Sequence, residues 1–148
     1  MQIETDYYIA RELFVRAADQ AGLRTVRFRI PYENQPELYM DIGFVKRDPK
    51  RALALFSGTH GIEGYAGSHI QREILGKLPD AGPSLLFVHA VNPYGMALYR
   101  RANGNNVDLN RSFNLAPVAN ENYRHFSSYL NPESRFGFYS GLVRGALA

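Results

Sequence analysis

The spacing of apolar residues near the start of the chain predicts an amphipathic helix. Apolar side chains recur every three or four positions over residues 9–21, and charged residues fill the positions between them. Either Thr5 or Asp6 can cap the first turn, and Gly22 provides an end signal. We expect this helix to pack on a core and to take no part in catalysis.

Two alternating segments follow, and each predicts a strand. Val26, Phe28 and Ile30 alternate with arginines, and apolar residues alternate again over residues 38–44. The arginine face of the first strand is therefore expected to point to water. We expect the two strands to pair antiparallel at one edge of a sheet.

Two apolar runs predict buried strands on either side of a second helix. The runs cover residues 52–56 and 84–91, and continuous apolar strands are typical of central positions covered on both faces. Apolar residues at helical spacing over residues 65–75 lie between them. A strand, a helix and a strand in this order predict a parallel pair. The fold class is therefore α/β with a mixed sheet. A further helix is expected over residues 120–130.

Length and composition are those of an ordinary globular protein. The 148 residues suit a single domain, and 45% hydrophobic with 21% charged residues is a common balance. No apolar run reaches the ~18 residues of a membrane helix. The first residues also lack a signal-peptide pattern. We expect a cytoplasmic protein without a membrane partner.

The charged residues argue against nucleic-acid binding and indicate which ligands a site could use. A net charge of +3 is weak for a nucleic-acid-binding protein, whose binding would depend steeply on salt. The basic residues are mostly arginine, whose planar fork suits carboxylates and phosphates, although a solvated basic surface explains most of them. Because the chain has no cysteine, a metal ion would need His, Asp or Glu ligands.

The turn after residues 52–56 carries the first candidate for chemistry. His60 and Glu63 are three positions apart at the start of the predicted helix, so both can lie on one side of it. An imidazole and a carboxylate make half of a zinc site, and ligands of α/β sheets bind beyond the carboxyl ends of strands. The alternative is structural, with Glu63 favoured by the helix dipole and His60 bonded to the backbone.

A polar segment over residues 99–113 carries the second candidate. Arg101 could stabilise an oxyanion beside a polarised carbonyl, and Asn110 with Arg111 could bind a carboxylate. The alternative is a solvated basic loop in which Asp108 pairs with an arginine at little gain in free energy.

Four motifs follow one another in an order that resembles a known family. They are THGIEG at 59–64, NPYG at 92–95, Arg101 with Asn103, and VDLNRSF at 107–113. Together they resemble the zinc carboxypeptidase superfamily, which includes carboxypeptidase A-like peptidases and the succinylglutamate desuccinylase/aspartoacylase branch. The longer phrase SGTHGIEGYAG at 57–67 is most similar to an uncharacterised bacterial branch. The resemblance runs from about residue 53 to residue 113 and implies a partial three-layer α/β/α fold.

The resemblance also implies roles for the residues of the first candidate. His60 and Glu63 would be the first two ligands of a zinc ion. Arg101 would polarise the scissile carbonyl and hold the oxyanion, with Arg100 as the alternate. The reaction would be hydrolysis of a peptide bond or of the amide of an N-acyl amino acid.

The remaining roles concern the substrate. Asn110 and Arg111 would bind its carboxylate, so the expected partner is a small carboxylate-bearing molecule or a peptide. Asp108 would orient the loop or hydrogen-bond His60.

The chain departs from the family in one respect. The family's third zinc ligand is a downstream His, and its general base is a later Glu, so Ala148 would precede both. The remaining candidates are His69, His89 and His125 for the ligand, and Glu121 and Glu133 for the base. We therefore expect the amino-terminal half of such an enzyme, with weak or no zinc binding and weak or no activity.

An amino-terminal half of the fold would be expected to associate with another chain. An unpaired strand edge and an exposed apolar surface would favour a homo-oligomer or a complementing chain. The alternative function is a non-catalytic binding or assembly module that keeps the anion pocket.

Overall fold

The computed structural model describes residues 3–32 and 37–112. The chain divides into two compact units, Met1–Arg111 and Ser112–Ala148. The second unit lies outside the described residues except for Ser112, and so does the helix predicted over residues 120–130. A single domain over residues 1–148 stays a prediction.

The first unit is an α/β structure, as the sequence predicts. Its elements are α1 Tyr7–Gln20, β1 Arg24–Ile30, β2 Leu38–Val45, β3 Ala52–Phe56, α2 Gly64–Leu75, β4 Ser84–His89, α3 Pro93–Ala97 and a 3-10 turn at Leu109–Arg111. Asp6 rather than Thr5 caps α1, because its Oδ1 accepts the N–H groups of Tyr8 and Ile9. None of the helices described is long and apolar enough to cross a membrane.

The four strands form one mixed sheet in the order β1-β2-β4-β3. The predicted antiparallel pair β1–β2 at a sheet edge and the predicted parallel pair β3–β4 are both confirmed. The central position predicted for residues 52–56 is wrong within the described part of the chain. There β3 pairs only with β4, so it lies at the second edge of the sheet.

The helices cover one face of the sheet. Phe14 and Ala18 of α1 and Leu75 of α2 pack there against Leu85 and Phe87 of β4. The strand register places the other side chains of the sheet on the opposite face. That face keeps large apolar side chains exposed, namely Val26 (44%), Phe28 (47%) and Phe56 (63%).

The arginine side chains of β1 do reach water, as predicted, since Arg27 is 52% and Arg29 65% exposed, although their face of the strand lies on the helix side of the sheet. Arg27 pairs in register with the buried Asp41 on the helix side, and its Nε lies 3.0 Å from the Asp41 carboxylate. Arg11 of α1 binds the same carboxylate at 2.6 Å. A buried carboxylate needs such partners, and Arg27 provides one of them from the face of β1 on the helix side.

Buried polar residues, besides the apolar ones, pack α2 against the sheet. Ser68 and Gln71 are buried, while Ile70 is exposed. The Gln71 amide donates to the carbonyl of Leu55 and to that of Val88, and its oxygen accepts from the Ser57 hydroxyl. Polar bonds between helix and sheet thus hold α2 against the strand ends.

We predict that the buried His89 makes folding pH-dependent. His89 stacks on Phe14 and bonds Ser68, and burial lowers its pKa from 6.5 to about 4, although nearby Asp41 opposes this. Between these pH values the unfolded chain binds a proton that the folded chain does not, so stability falls as pH falls from 6.5 to 4. The expected loss is about 3 kcal/mol.

Denaturant unfolding at pH 7 and pH 4.5 measures this loss. His89→Phe keeps an aromatic ring on Phe14 and removes the titrating group, so its stability should depend less on pH in that window. Equal pH dependence in both proteins would contradict the prediction.

Candidate functional site

The site forms where the ends of β3 and β4 separate into loops. The Ser57 carbonyl accepts the N–H of Val91, and the Gly58 carbonyl accepts the N–H of Asn92, so the two chain segments stay paired past the strands. Gly58 has φ +68°, a conformation that favours glycine, and it turns the chain away from the sheet. His60 and Glu63 follow at once, before α2 begins at Gly64.

A close approach of main chains joins two of the sequence motifs. The N–H of Gly61 donates to the Arg100 carbonyl at 3.0 Å. A Cβ on Gly61 would lie 1.9 Å from the carbonyl carbon of Gly95. The glycine therefore lets the segment after β3 lie directly against the segment after α3.

His60 and Glu63 converge as their spacing predicts. The Nδ1 atom of His60 lies 3.3 Å from Oε2 of Glu63. The imidazole is nearly buried, whereas the Glu63 carboxylate is largely exposed. Although Glu63 occupies the cap position of α2, its side chain makes no capping bond. The helix dipole nevertheless favours a carboxylate at this position, as the structural alternative for Glu63 predicts.

Asp108 holds the other side of the imidazole. Its Oδ1 lies 3.0 Å from Nε2 of His60 and also accepts the N–H of Asn110. Burial raises the pKa of Asp108, but the bonds from His60, Arg101 and the Asn110 N–H outweigh this and lower it to about 2. Asp108 is therefore ionised at neutral pH, and its carboxylate faces Nε2 of His60.

The two arginines of the loop have different surroundings. The Nε of Arg101 donates to Oδ2 of Asp108 at 3.0 Å, and its Nη1 lies 3.9 Å from Oε1 of Glu63. Arg100 instead donates to the hydroxyl of Tyr94. The structure thus brings Arg101, and not the side chain of Arg100, to the His60–Glu63 pair.

Asn110 and Arg111 lie in the short turn that begins at Asp108. The N–H of Arg111 donates to the Asp108 carbonyl at 3.0 Å, which closes the turn, and both side chains are exposed. Asn110 lines a pocket of about 350 Å³ together with Phe56, Ser57, Gly58, Thr59, His60, Glu63 and Gly67. A larger, mostly apolar groove of about 480 Å³ runs along α2 and does not include this cluster.

Within the described residues, two possible metal ligands, His60 and Glu63, converge on one point. No group of three or more His, Cys, Asp or Glu suited to a metal ion occurs within residues 3–32 and 37–112. His69 contacts Arg72, and His89 is a core residue bonded to Ser68, so neither joins the pair. The other three candidates, His125, Glu121 and Glu133, lie outside the described residues.

Two features of the site are not evident from the sequence pattern. Asp108 connects His60 to Arg101, although the motif order alone leaves its role open between orienting the loop and bonding His60. Phe56 and Gly67 line the pocket, and only the packing of the start of α2 against the end of β3, where a Cβ on Gly67 would lie 2.9 Å from Cβ of Ser57, could reveal this.

Comparison with known proteins gives one match. The family model described as "Protein of unknown function (DUF2817)" matches residues 4–140 of the chain. No curated protein and no solved structure matches. The site described above falls entirely inside the matched residues.

Proposed function

This chain belongs to the family described as "Protein of unknown function (DUF2817)", and we propose that it is a zinc-dependent hydrolase of amide bonds. The proposed substrates are peptides or N-acyl amino acids, as in the zinc carboxypeptidase superfamily. The α/β unit with its mixed sheet is compatible with the amino-terminal part of the three-layer fold of that superfamily.

One observation carries the proposal. One imidazole lies between two carboxylates, because Nδ1 of His60 is 3.3 Å from Oε2 of Glu63 and Nε2 is 3.0 Å from Oδ1 of Asp108. In the tautomer that bonds Asp108 through Nε2, the lone pair of Nδ1 and the Glu63 carboxylate would both face the space where a cation could bind. A neutral imidazole and a carboxylate are ligands that zinc prefers.

The donor set fits two ligands of a zinc ion. His60 through Nδ1 and Glu63 through its carboxylate would hold the ion, and Asp108 would fix the imidazole tautomer. Zinc, when bound, supplies a Lewis acid that lowers the pKa of water and polarises a carbonyl. Two protein ligands hold zinc more weakly than three, so weak binding is expected if residues 1–112 supply all of them.

The other residues would act on the substrate. Arg101 presents its guanidinium at the rim, where Asp108 fixes the Nε end and leaves the distal nitrogens toward Glu63. In that position it can bind the oxygen of a carbonyl as negative charge develops there. The Asn110 amide and the Arg111 guanidinium are free to bind a substrate carboxylate, since both are exposed in the turn beside the pocket.

The test of the proposal combines metal content with activity. Zinc should bind in a 1:1 ratio, and it should stimulate hydrolysis of a panel of N-acyl amino acids and dipeptides. Affinity should rise with pH, because zinc competes with protons for the ligands. Zinc binding below stoichiometry at millimolar metal, with no hydrolysis of any panel member, would reject the proposal.

We predict that Arg101→Lys lowers kcat by roughly 10²–10³-fold and leaves zinc stoichiometry unchanged. Lysine keeps the charge but loses the bond that Nε of Arg101 makes to Asp108. The matched control is Arg100→Lys, because the Arg100 side chain contacts Tyr94 instead. Equal losses in the two variants, or a larger loss in Arg100→Lys, would contradict the assignment.

A second candidate function follows from the number of metal ligands. Within the described residues only His60 and Glu63 converge, and two ligands hold zinc weakly. A non-catalytic module would use Arg101, Asn110 and Arg111 to bind carboxylates without metal. It would bind an N-acyl amino acid equally well in a chelator and in zinc, and it would show no hydrolysis in either. Calorimetric titration under both conditions separates this module from the hydrolase. The cytoplasmic location expected from the sequence stays a prediction.

A further inference from the structure

The two edges of the sheet differ in chemistry. The outer strand β1 carries Arg24, Arg27 and Arg29, and charged side chains on an edge strand discourage pairing with another chain. The opposite edge strand, β3, reads Ala-Leu-Ala-Leu-Phe, with no charge and no proline. Its side chains are nevertheless largely exposed. An edge of this kind is a template for a further strand.

The backbone of β3 also offers free bonding groups at that edge. The N–H of Ser57 donates to the Val88 carbonyl, and the Arg51 carbonyl accepts the N–H of Ser84, so odd-numbered positions face β4. Because backbone groups alternate sides along a strand, those of Ala52, Ala54 and Phe56 point away from β4. No strand within the described residues pairs with them.

We propose that β3 pairs antiparallel with β3 of a second copy of this chain, about a two-fold axis at Ala54. This register opposes Ala54 to itself and Ala52 to Phe56, so all three outward-facing residues form hydrogen-bonded pairs. An isologous contact must be self-complementary, and an uncharged apolar edge meets that condition. The arginine edge does not, because a two-fold axis there would bring arginines together.

The pairing has a consequence for the candidate site. An axis at Ala54 sets Ser57, which lines the pocket, opposite Arg51 of the second copy. The side chain of Arg51 is 71% exposed, and although its Nε lies 2.7 Å from Oδ2 of Asp48, its two distal nitrogens could turn toward the pocket. The second copy would then add a cation to the anion-binding region, a consequence that rests on the proposed function, whereas the pairing does not.

Light scattering over a concentration series tests the pairing. The wild-type chain should be a dimer at micromolar concentration, and Ala54→Lys should weaken the dimer by at least about a hundredfold, since it places two charges at the axis. Ala54→Pro should act likewise, because it removes an outward-facing N–H and no bond to β4. The control Val26→Lys adds the same charge on the same face at the other edge, and should stay dimeric.

A cysteine at the axis gives an independent measurement. The natural chain has no cysteine, so Ala54→Cys introduces a unique thiol. Hydrogen-bonded antiparallel neighbours lie about 5.5 Å apart between Cα atoms, within disulfide range. Mild oxidation should link Ala54→Cys chains in pairs and leave Val26→Cys chains unlinked.

The outcomes separate the pairing from the hydrolase proposal. A wild-type monomer up to about 100 μM, far above the Kd expected of a stable interface, would overturn the pairing, and so would a dimer that both Ala54 variants retain. Arg51→Ala should keep the dimer and weaken binding of an N-acyl amino acid about tenfold. If the wild type binds no such ligand, the proposed function fails while the light-scattering result stands.

Discussion

Replacing His60 with alanine is expected to abolish stoichiometric zinc binding. His60 provides one of two donors that converge within the described residues, so its loss leaves only the exposed Glu63 carboxylate. Removal of a residue behind a ligand costs about 10–100-fold in metal affinity, so removal of the ligand itself should cost more than a hundredfold. Competition with a chromophoric chelator measures the affinity directly.

Two further variants make this experiment specific. Asp108→Asn keeps the shape of the side chain but removes the charge that holds Nε2 of His60, so affinity should fall by about 10–100-fold. His69→Ala removes a histidine of α2 that lies away from the pair, and it should bind zinc like the wild type. Normal zinc affinity in His60→Ala would show that the ion, if any, binds elsewhere.

Replacing Gly61 with alanine is expected to lower the free energy of unfolding by about 3 kcal/mol, the upper end of the usual cost of overpacking. The added Cβ would lie 1.9 Å from the Gly95 carbonyl carbon and 2.4 Å from the Arg100 carbonyl oxygen. Both contacts are with main chain, so a side-chain rotation cannot relieve them. The two loops would have to separate, and the bond from Gly61 to Arg100 would break.

The control for this variant is Gly76→Ala at the end of α2. Gly76 has φ −68°, and an added Cβ would meet its nearest atom, the Arg72 carbonyl oxygen, at 3.6 Å. Because alanine adopts this conformation freely, the expected change is a gain of at most about 1 kcal/mol. Denaturant unfolding of both variants measures the difference, and equal stabilities would contradict the contact geometry.

Local patterns were sufficient to predict α1, α2 and the four strands of the described fold, together with the pairs β1–β2 and β3–β4. The apolar run at residues 52–56, the alternation at 38–44 and the Asp6 cap each express a preference of a few neighbouring residues. Alternation reports that two faces of a strand differ, but it does not report which face is covered. For β1 the face on the helix side is the one from which Arg27 binds the buried Asp41, and the two arginines on that carboxylate, Arg11 and Arg27, are 30 and 14 positions away from it in sequence.

The same limit applies to the site. The spacing of His60 and Glu63 predicts their convergence, because residues three apart at a helix start share one side. The bond between His60 and Asp108 spans 48 positions, and only the resemblance to a family suggested it. Whether Arg100 or Arg101 enters the site depends on the turn after α3, where Tyr99 has φ 55°. No spacing rule predicts this change in the direction of the backbone.

The difference between the two edge strands also limits how many copies of the chain can associate. A strand that accepts partners on both sides allows chains to add without limit, as in fibres. Here the cationic strand β1 opposes addition at one edge of the described sheet, so a symmetric pairing at β3 occupies the uncharged edge of that sheet in each copy. The strands of residues 3–32 and 37–112 would then form a continuous sheet of eight strands in two copies, with arginines at both ends and no uncharged edge for a third copy.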